Sequence, residues 1–335
     1  ANHADISGSV FTGGIVGRLM GTIGNGTTGS YQDRADVLDC SNDGLILSTE
    51  DAAADALTGY YFGGIVGYGY ESVIHGATAA SGRDSSFSYD ESKKSLLKGN
   101  YVGGIIGYGD ATVINNCSTR RRGYVLGAKY VGGIAGGLGS DIAESIRADE
   151  NVSVTTNASY VIGLSYVGGI TGKNDSGVVV KNCVNNGVAA CYEKYAGGIV
   201  GYNENGAEIR DCASYLSDYD SSVFNMIVKK WKATGDYAGG IAGVMAAEDK
   251  ADETLSIEEQ LASGKIPVIA PAGFTEHAVK ENVYAGKGMG RRSNYQYGIL
   301  LKPGVTGKLA QGIGMGQSVG TISFMTPSYE IRESG

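Results

Sequence analysis

Histidine is the side chain most often used for metal binding and proton transfer near neutral pH. This 335-residue chain has three, His3, His75 and His277. They stand far apart with no Cys or second His beside them, so neither a metal site nor a Ser-His-Asp relay is expected. The run GNGTTG from Gly24 to Gly29 fits the dinucleotide pattern GxGxxG. A chain with 55 glycines meets that pattern about once by chance, and no βαβ unit surrounds it. No P-loop, GxSxG elbow or HExxH sequence occurs. Glu204, Glu208 and Asp211 could meet for acid-base work, but they fall at turns or strand ends, where solvated carboxylates are ordinary. Oxygen-rich turns at Asn203-Glu204-Asn205 and Asp218-Tyr219-Asp220 are calcium-like but do not repeat at a fixed period. Sequons at Asn25, Asn151, Asn157 and Asn174 read as polar turns. From these residues no catalytic site, no metal and no cofactor is expected.

Five cysteines are too few for a disulfide scaffold, and no CxxC is present. A net charge of -8 and a pI near 5.0 argue against nucleic acid as a partner. No run approaches the ~20 apolar residues needed to span a membrane. Glycine supplies 55 of 335 residues, more than twice the usual share, and each one inside a helix is unfavourable by roughly 1 kcal/mol relative to Ala. Four prolines exclude collagen, while 42% hydrophobic residues and 22 tyrosines argue against disorder. A glycine- and tyrosine-rich all-β chain remains.

Its elements follow from a repeat. The segments FTGGIVG, YFGGIVG, YVGGIIG, YVGGIAG, YVGGITG, YAGGIVG and YAGGIAG place a Gly-Gly pair at 13, 63, 103, 132, 168, 197 and 239. The shortest interval, 29 residues, occurs twice and defines the bare unit; longer intervals add side loops. An aromatic residue stands two positions before every pair: Phe11, Tyr61, Tyr101, Tyr130, Tyr166, Tyr195 and Tyr237. Asn116-Cys117, Asn182-Cys183 and Asp211-Cys212 close a second apolar run, and Asp39-Cys40 repeats this after a loop. Each unit reads as three short β segments.

Segments so short cannot bury a core alone, whereas stacking unit on unit pairs each strand with its counterpart ~4.8 Å away. The expected fold is an all-β parallel β-solenoid (β-helix) of about seven to eight coils with a C-terminal cap or extension. Like residues in successive coils then form ladders. Stacked rings contribute ~0.5–1.5 kcal/mol per pair. Cys117, Cys183 and Cys212 act as small buried hydrophobes, with a Cys183–Cys212 disulfide as the alternative, and Cys191 is the odd thiol. Gly-Gly marks a corner that needs positive φ or has no room for Cβ, so a β-branched residue at Gly104 or Gly133 should break it.

The run GGITGKNDSGVVVKNCVNNG from Gly168, and GGIVGYNENGAEIRDC from Gly197, resemble the GLUG repeat, with Ile where that pattern has Leu. The resemblance covers residues 1 to about 245, and the Cys is missing from the second, fourth and last units. It implies a secreted or surface protein of bacteria, as in adhesins and in accessory repeats of immunoglobulin-cleaving peptidases, and a motif that is not itself catalytic.

The organisation expected is solenoid over 1–250, a short capped helix and linker over 251–264, and a basic extension over 265–335. Residues 1–264 carry 19 bases and 31 acids, net -12, while 265–335 carry 8 and 4, net +4. That asymmetry suggests head-to-tail self-association, with adjoining coils of a longer chain as the alternative. The insertion at 214–236 holds Tyr219, Phe224, Met226 and Trp231, either an exposed anchor for a host or glycan ligand or a satellite core on the solenoid flank. Arg120, Arg121 and Arg122 form a basic knot, read as a solvated corner or a contact for an acidic partner. The functional expectation is a non-enzymatic extracellular rod in an adhesin, surface layer or fibre. Its alternatives are a carbohydrate-binding or carbohydrate-cleaving solenoid and the stalk of a larger peptidase or adhesin.

Overall fold

The computed structural model describes residues 1–21, 35–48, 60–79, 100–121, 123–139, 152–204, 207–210, 212–214, 237–239 and 242–245, with short strands at 279–280, 284–285, 295–296 and 299–301. The described residues are all-β, without a helix, and their strands stack in parallel as a β-solenoid. The expected helix within 251–264 lies outside the described residues.

Seven coils follow one another, each opening on one aromatic-Gly-Gly strand. Three sheets of seven strands contain one strand from every coil. The glycine sheet runs from Val16–Met20 through Val66–Tyr70, Ile106–Asp110, Ala135–Gly139, Thr171–Asn174 and Val200–Asn203 to Ala242–Met245. The isoleucine sheet, from Ala35–Leu38 to Val279–Lys280, includes Ser72–His75 and Val113–Asn115. The asparagine sheet, from Ser41–Asn42 to Tyr284–Ala285, includes Thr156–Asn157 and Val184–Asn185. In the aromatic sheet Phe11–Gly13, Tyr61–Gly63 and Tyr101–Gly103 precede longer strands such as Tyr160–Gly168 and Val188–Gly197. Beyond Tyr237–Gly239 this sheet turns antiparallel, with Ile299–Leu301 pairing Tyr237–Gly239 and Tyr295–Gln296 pairing Ile299–Leu301.

A coil therefore has more strands than the three expected. The first expected segment divides at Gly-Gly, and a two-residue strand follows the Asn-Cys corner before the closing segment, as in Ser118–Thr119 ahead of Tyr124–Leu126. Two kinds of corner cause the division. At the second glycine the limit is space. A Cβ on Gly104 would overlap the Gly133 carbonyl oxygen of the next coil, and one on Gly133 would overlap the Gly169 carbonyl and the Asn157 side chain. A β-branched replacement there forces the backbone apart. The corner before Cys, or before Ala77 in coil 2, is instead left-handed, with φ of 50° at Asp39, 67° at Gly76, 52° at Asn116 and 53° at Asn182. Asn, Asp and Gly tolerate that region best, which explains the Asn-Cys and Asp-Cys pairs. Val154 breaks the rule at φ 51° and is 53% exposed.

Polar side chains line the inner side of the asparagine sheet. Thr119 donates to Asn157 at 2.6 Å, Asn157 to Asn185 at 2.8 Å and Asn185 to Ser214 at 3.3 Å. The same amides accept from backbone N–H groups two residues on, at Ser159 and Gly187. Buried amides are tolerated because every coil supplies the partner of the next. The main core packs Ile65, Ile105, Ile134, Ile170 and Ile199 against Ile74, Ile114 and Ile209, all fully buried. A smaller cluster of Phe62, Val102, Val131, Val161 and Val167 lies between the aromatic sheet and the closing segments.

Candidate functional site: an aromatic face with a cationic end

Parallel in-register pairing places the aromatic residues over one another. Ring centroids are 5.3 Å apart for Phe11–Tyr61, 5.4 Å for Tyr61–Tyr101, 4.9 Å for Tyr101–Tyr130, and 5.0 Å for both Tyr130–Tyr166 and Tyr166–Tyr195, all stacked. Tyr237 belongs to the next strand of the same sheet. Cys117, Cys183 and Cys212 are buried, and none of the five cysteines is in a disulfide, Cys183 and Cys212 included. Burial pushes the Cys117 thiol up to about 11.

Beside this column runs another, which the sequence reading did not pick out. The glycine sheet aligns Arg18, Tyr68, Tyr108, Gly137, Lys173 and Tyr202. Its signal is the residue five positions after the first glycine of each pair, as in GGIVGY and GGIIGY. Tyr68 meets Phe11 and Tyr61 edge-on at 5.6 and 5.4 Å, and Tyr108 meets Tyr101 at 4.9 Å. Tyr68 and Tyr108 themselves stack at 6.1 Å. Perpendicular rings set the positive edge of one against the negative face of another.

The chemistry changes along the face. In coil 1 Phe11 is 38% exposed, and the exposed Arg18 guanidinium lies 5.4 Å from its ring and 5.8 Å from that of Tyr68. In coils 4 to 6 the rings are covered: Tyr195 is only 1% exposed. Lys129 and Lys173 lie 4.8 and 5.6 Å from the Tyr130 ring, and Tyr202 stands edge-on to Tyr166 at 5.7 Å. Tyr130, Tyr166 and Tyr195 also have left-handed backbones, with φ of 51°, 55° and 63°.

Gly137 and Gly139 open the seam between these regions. A Cβ on Gly137 would press against the Tyr101 and Tyr108 rings, so the Tyr108 side chain crosses coil 4 only because none is there. It reaches coil 5, where its hydroxyl donates to Asp175 Oδ2 at 2.9 Å, while Lys173 Nζ binds Asp175 Oδ1 at 2.7 Å. Burial, reinforced by the Asp175 charge, raises the Tyr108 pKa far above a phenol's ordinary value. Burial opposes the charged form of Lys173, but the Asp175 carboxylate outweighs it and the pKa ends up raised. At neutral pH Tyr108 is thus a neutral donor and Lys173 a cation, both directed at Asp175.

The other expected sites are dispersed. His3 Nδ1 lies 2.6 Å from Asp43 Oδ1, His75 is exposed, and His277 is outside the described residues. Among the described residues no three His, Cys, Asp or Glu side chains converge as a metal site would require. Glu204 is buried and Oε2 accepts from the Ser176 backbone at 3.0 Å, whereas Glu208 points from a strand of the isoleucine sheet. Arg120 and Arg121 are exposed at a turn closed by the Gly123 N–H to the Arg120 carbonyl. Asp211, Arg122, Tyr219, Phe224, Met226 and Trp231 lie outside the described residues.

The family model of the GLUG motif matches residues 192–214, a stretch that contains Tyr195, Gly197, Gly198 and Cys212. A linear primary-alkylsulfatase of Pseudomonas sp is 43% identical over 100 residues, which are 30% of this chain and 13% of that protein. An alkyl/aryl-sulfatase of Saccharomyces cerevisiae is 40% identical over 98 residues, 29% of this chain and 14% of that one. An (R)-specific secondary-alkylsulfatase of Pseudomonas sp is 38% identical over 78 residues, 23% and 10% of the two chains. The matched stretches thus span between 10% and 14% of these relatives. No solved structure matches the chain. The relatives are enzymes, which overturns the expectation of a non-enzymatic rod in an adhesin, layer or fibre; its carbohydrate-directed and stalk alternatives gain no support. The physical reason for the miss is that the repeat is a packing code. Its Ile and Cys positions fill the coil interior and its Gly and Asn positions shape the corners, so none of them reports on catalysis.

Proposed function

We propose that this chain acts in the hydrolysis of sulfate esters of alkyl alcohols, with the solenoid as the rigid body of a sulfatase-type enzyme. The similarity to three alkylsulfatases, at 38% to 43% identity, carries the reading. The reaction consumes water, splits the ester and yields an alcohol, inorganic sulfate and a proton. The substrate is amphiphilic, and the described solenoid has features suited to such a molecule: an apolar aromatic strip and cations laid over it. Incubating the purified chain with sodium octyl sulfate and measuring free sulfate by ion chromatography tests the proposal. Sulfate release above the protein-free rate is expected, with no phosphate released from octyl phosphate in a parallel run. Release no faster than in buffer for any alkyl sulfate overturns it.

A further inference from the structure

The aromatic face of coils 1 to 3 combines three properties that the face of coils 4 to 6 lacks. Its rings are accessible: Phe11 is 38% exposed, and Tyr61, Tyr68, Tyr101 and Tyr108 are partly so. Apolar surface continues past Arg18, since Met20, on the same face of that strand, is 44% exposed. Among the described residues Arg18 has no carboxylate partner, and its guanidinium rests on the Phe11 and Tyr68 rings. In the sealed half, by contrast, Lys173 is already paired with Asp175.

A guanidinium on an aromatic surface is weakly hydrated and keeps its in-plane donors free, the arrangement suited to a tetrahedral oxyanion. Phe11, Tyr61 and Tyr101 extend away from it over two inter-coil steps, roughly 10 Å, about the length of an extended octyl chain. The face also has a direction. Asp110, whose charge helps to raise the Tyr68 pKa after burial has done so, sits two coils from Arg18 and repels an anion at that end.

We propose that coils 1 to 3 form a binding site for an alkyl sulfate, with the sulfate on Arg18 and the alkyl chain along Phe11, Tyr61 and Tyr101. The inference rests on the sulfate-ester reading for the identity of its ligand, and concerns capture of the amphiphile rather than cleavage. Charge complementarity at Arg18 selects the anionic head, and the rings give affinity that rises with chain length.

Calorimetric titration of the full chain with sodium octyl sulfate, kept below its micelle-forming concentration, tests this. Binding about tenfold weaker in Arg18→Gln is expected, with Arg18→Lys intermediate because it keeps charge but loses the planar stack. Uncharged octyl glucoside should bind weakly and equally to the native chain and to Arg18→Gln, and Phe11→Ala should weaken octyl sulfate binding. A native chain that does not bind octyl sulfate, binding unchanged in Arg18→Gln, or octyltrimethylammonium bound as tightly as octyl sulfate would each overturn the site. Binding that depends on Arg18 without sulfate release sinks the hydrolytic reading and leaves the site standing. Release without such binding does the reverse.

Discussion

Coils 1 to 3 and coils 4 to 6 are built on the same aromatic-Gly-Gly strand, yet one half shows its rings to solvent and the other hides them. Tyr195 is 1% exposed where Phe11 is 38% exposed. The repeated residue does not decide this, since both halves stack their rings at about the same spacing. The neighbouring column decides it. Arg18, Tyr68 and Tyr108 lean against the rings of the first half and leave their edges accessible, whereas Lys173 and Tyr202 close over the second. In a solenoid the repeat therefore sets the frame, and the residue beside the repeat sets what the frame presents.

Removing one ring from each half gives the largest contrast. Tyr166→Ala leaves a cavity between stacked neighbours and should cost about 3–5 kcal/mol of unfolding free energy, while Tyr61→Ala, half open to water, should cost about 1–2. Denaturant unfolding of both variants measures the gap, and equal losses would abolish the distinction between the halves.

Tyr108 tests the seam. Tyr108→Phe removes the bond to Asp175 and should destabilise by about 1 kcal/mol at neutral pH, because Asp175 keeps its Lys173 partner. The variant also changes the response to alkali. Tyr108 and Cys117 both have folded-state pKa values raised above their ordinary ones, Cys117 to about 11. Their contribution is whole below pH 9 and is lost as the unfolded chain ionises ahead of the folded one. Melting temperature should therefore fall between pH 9 and 11, less steeply in Tyr108→Phe, and a flat profile would show that these groups do not couple to folding.

The smallest effect belongs to Val154, the one β-branched residue at a left-handed corner otherwise held by Asp, Gly or Asn among the described coils. Because it is exposed, Val154→Asn removes strain without emptying a core, and should stabilise the chain by about 1 kcal/mol in thermal melts. A loss of stability would mean that the valine side chain is held by packing.

Period and residue type together made much of this legible. Recurrent aromatic-Gly-Gly segments announced a stacked β-solenoid, and Asn116-Cys117 and Asn182-Cys183 marked a corner whose φ values now give the reason. The extra division of each coil escaped notice, because two-residue strands such as Ser118–Thr119 have no periodicity to detect. The second column escaped for a different reason: Arg18, Tyr68, Gly137 and Lys173 differ in chemistry, so only their offset from Gly-Gly reveals that they share a line. Tyr108 reaching Asp175 was beyond reading, since it depends on the absence of a Cβ in the intervening coil. The link to sulfatases was not legible from repeat grammar at all.

The ladder also governs where the chain can grow. From the glycine sheet to the isoleucine sheet coil 3 passes directly, Asp110 to Val113, but coil 1 takes from Met20 to Ala35 and coil 4 from Gly139 to Val152. The strands on either side of these excursions still meet their neighbours in register. Lengthening a surface connection is inexpensive, about 0.6 kcal/mol for each doubling. A body assembled in this way behaves like a shelf with open slots: foreign sequence enters at a seam, the storeys above and below keep their alignment, and new chemistry is added without redesigning the support.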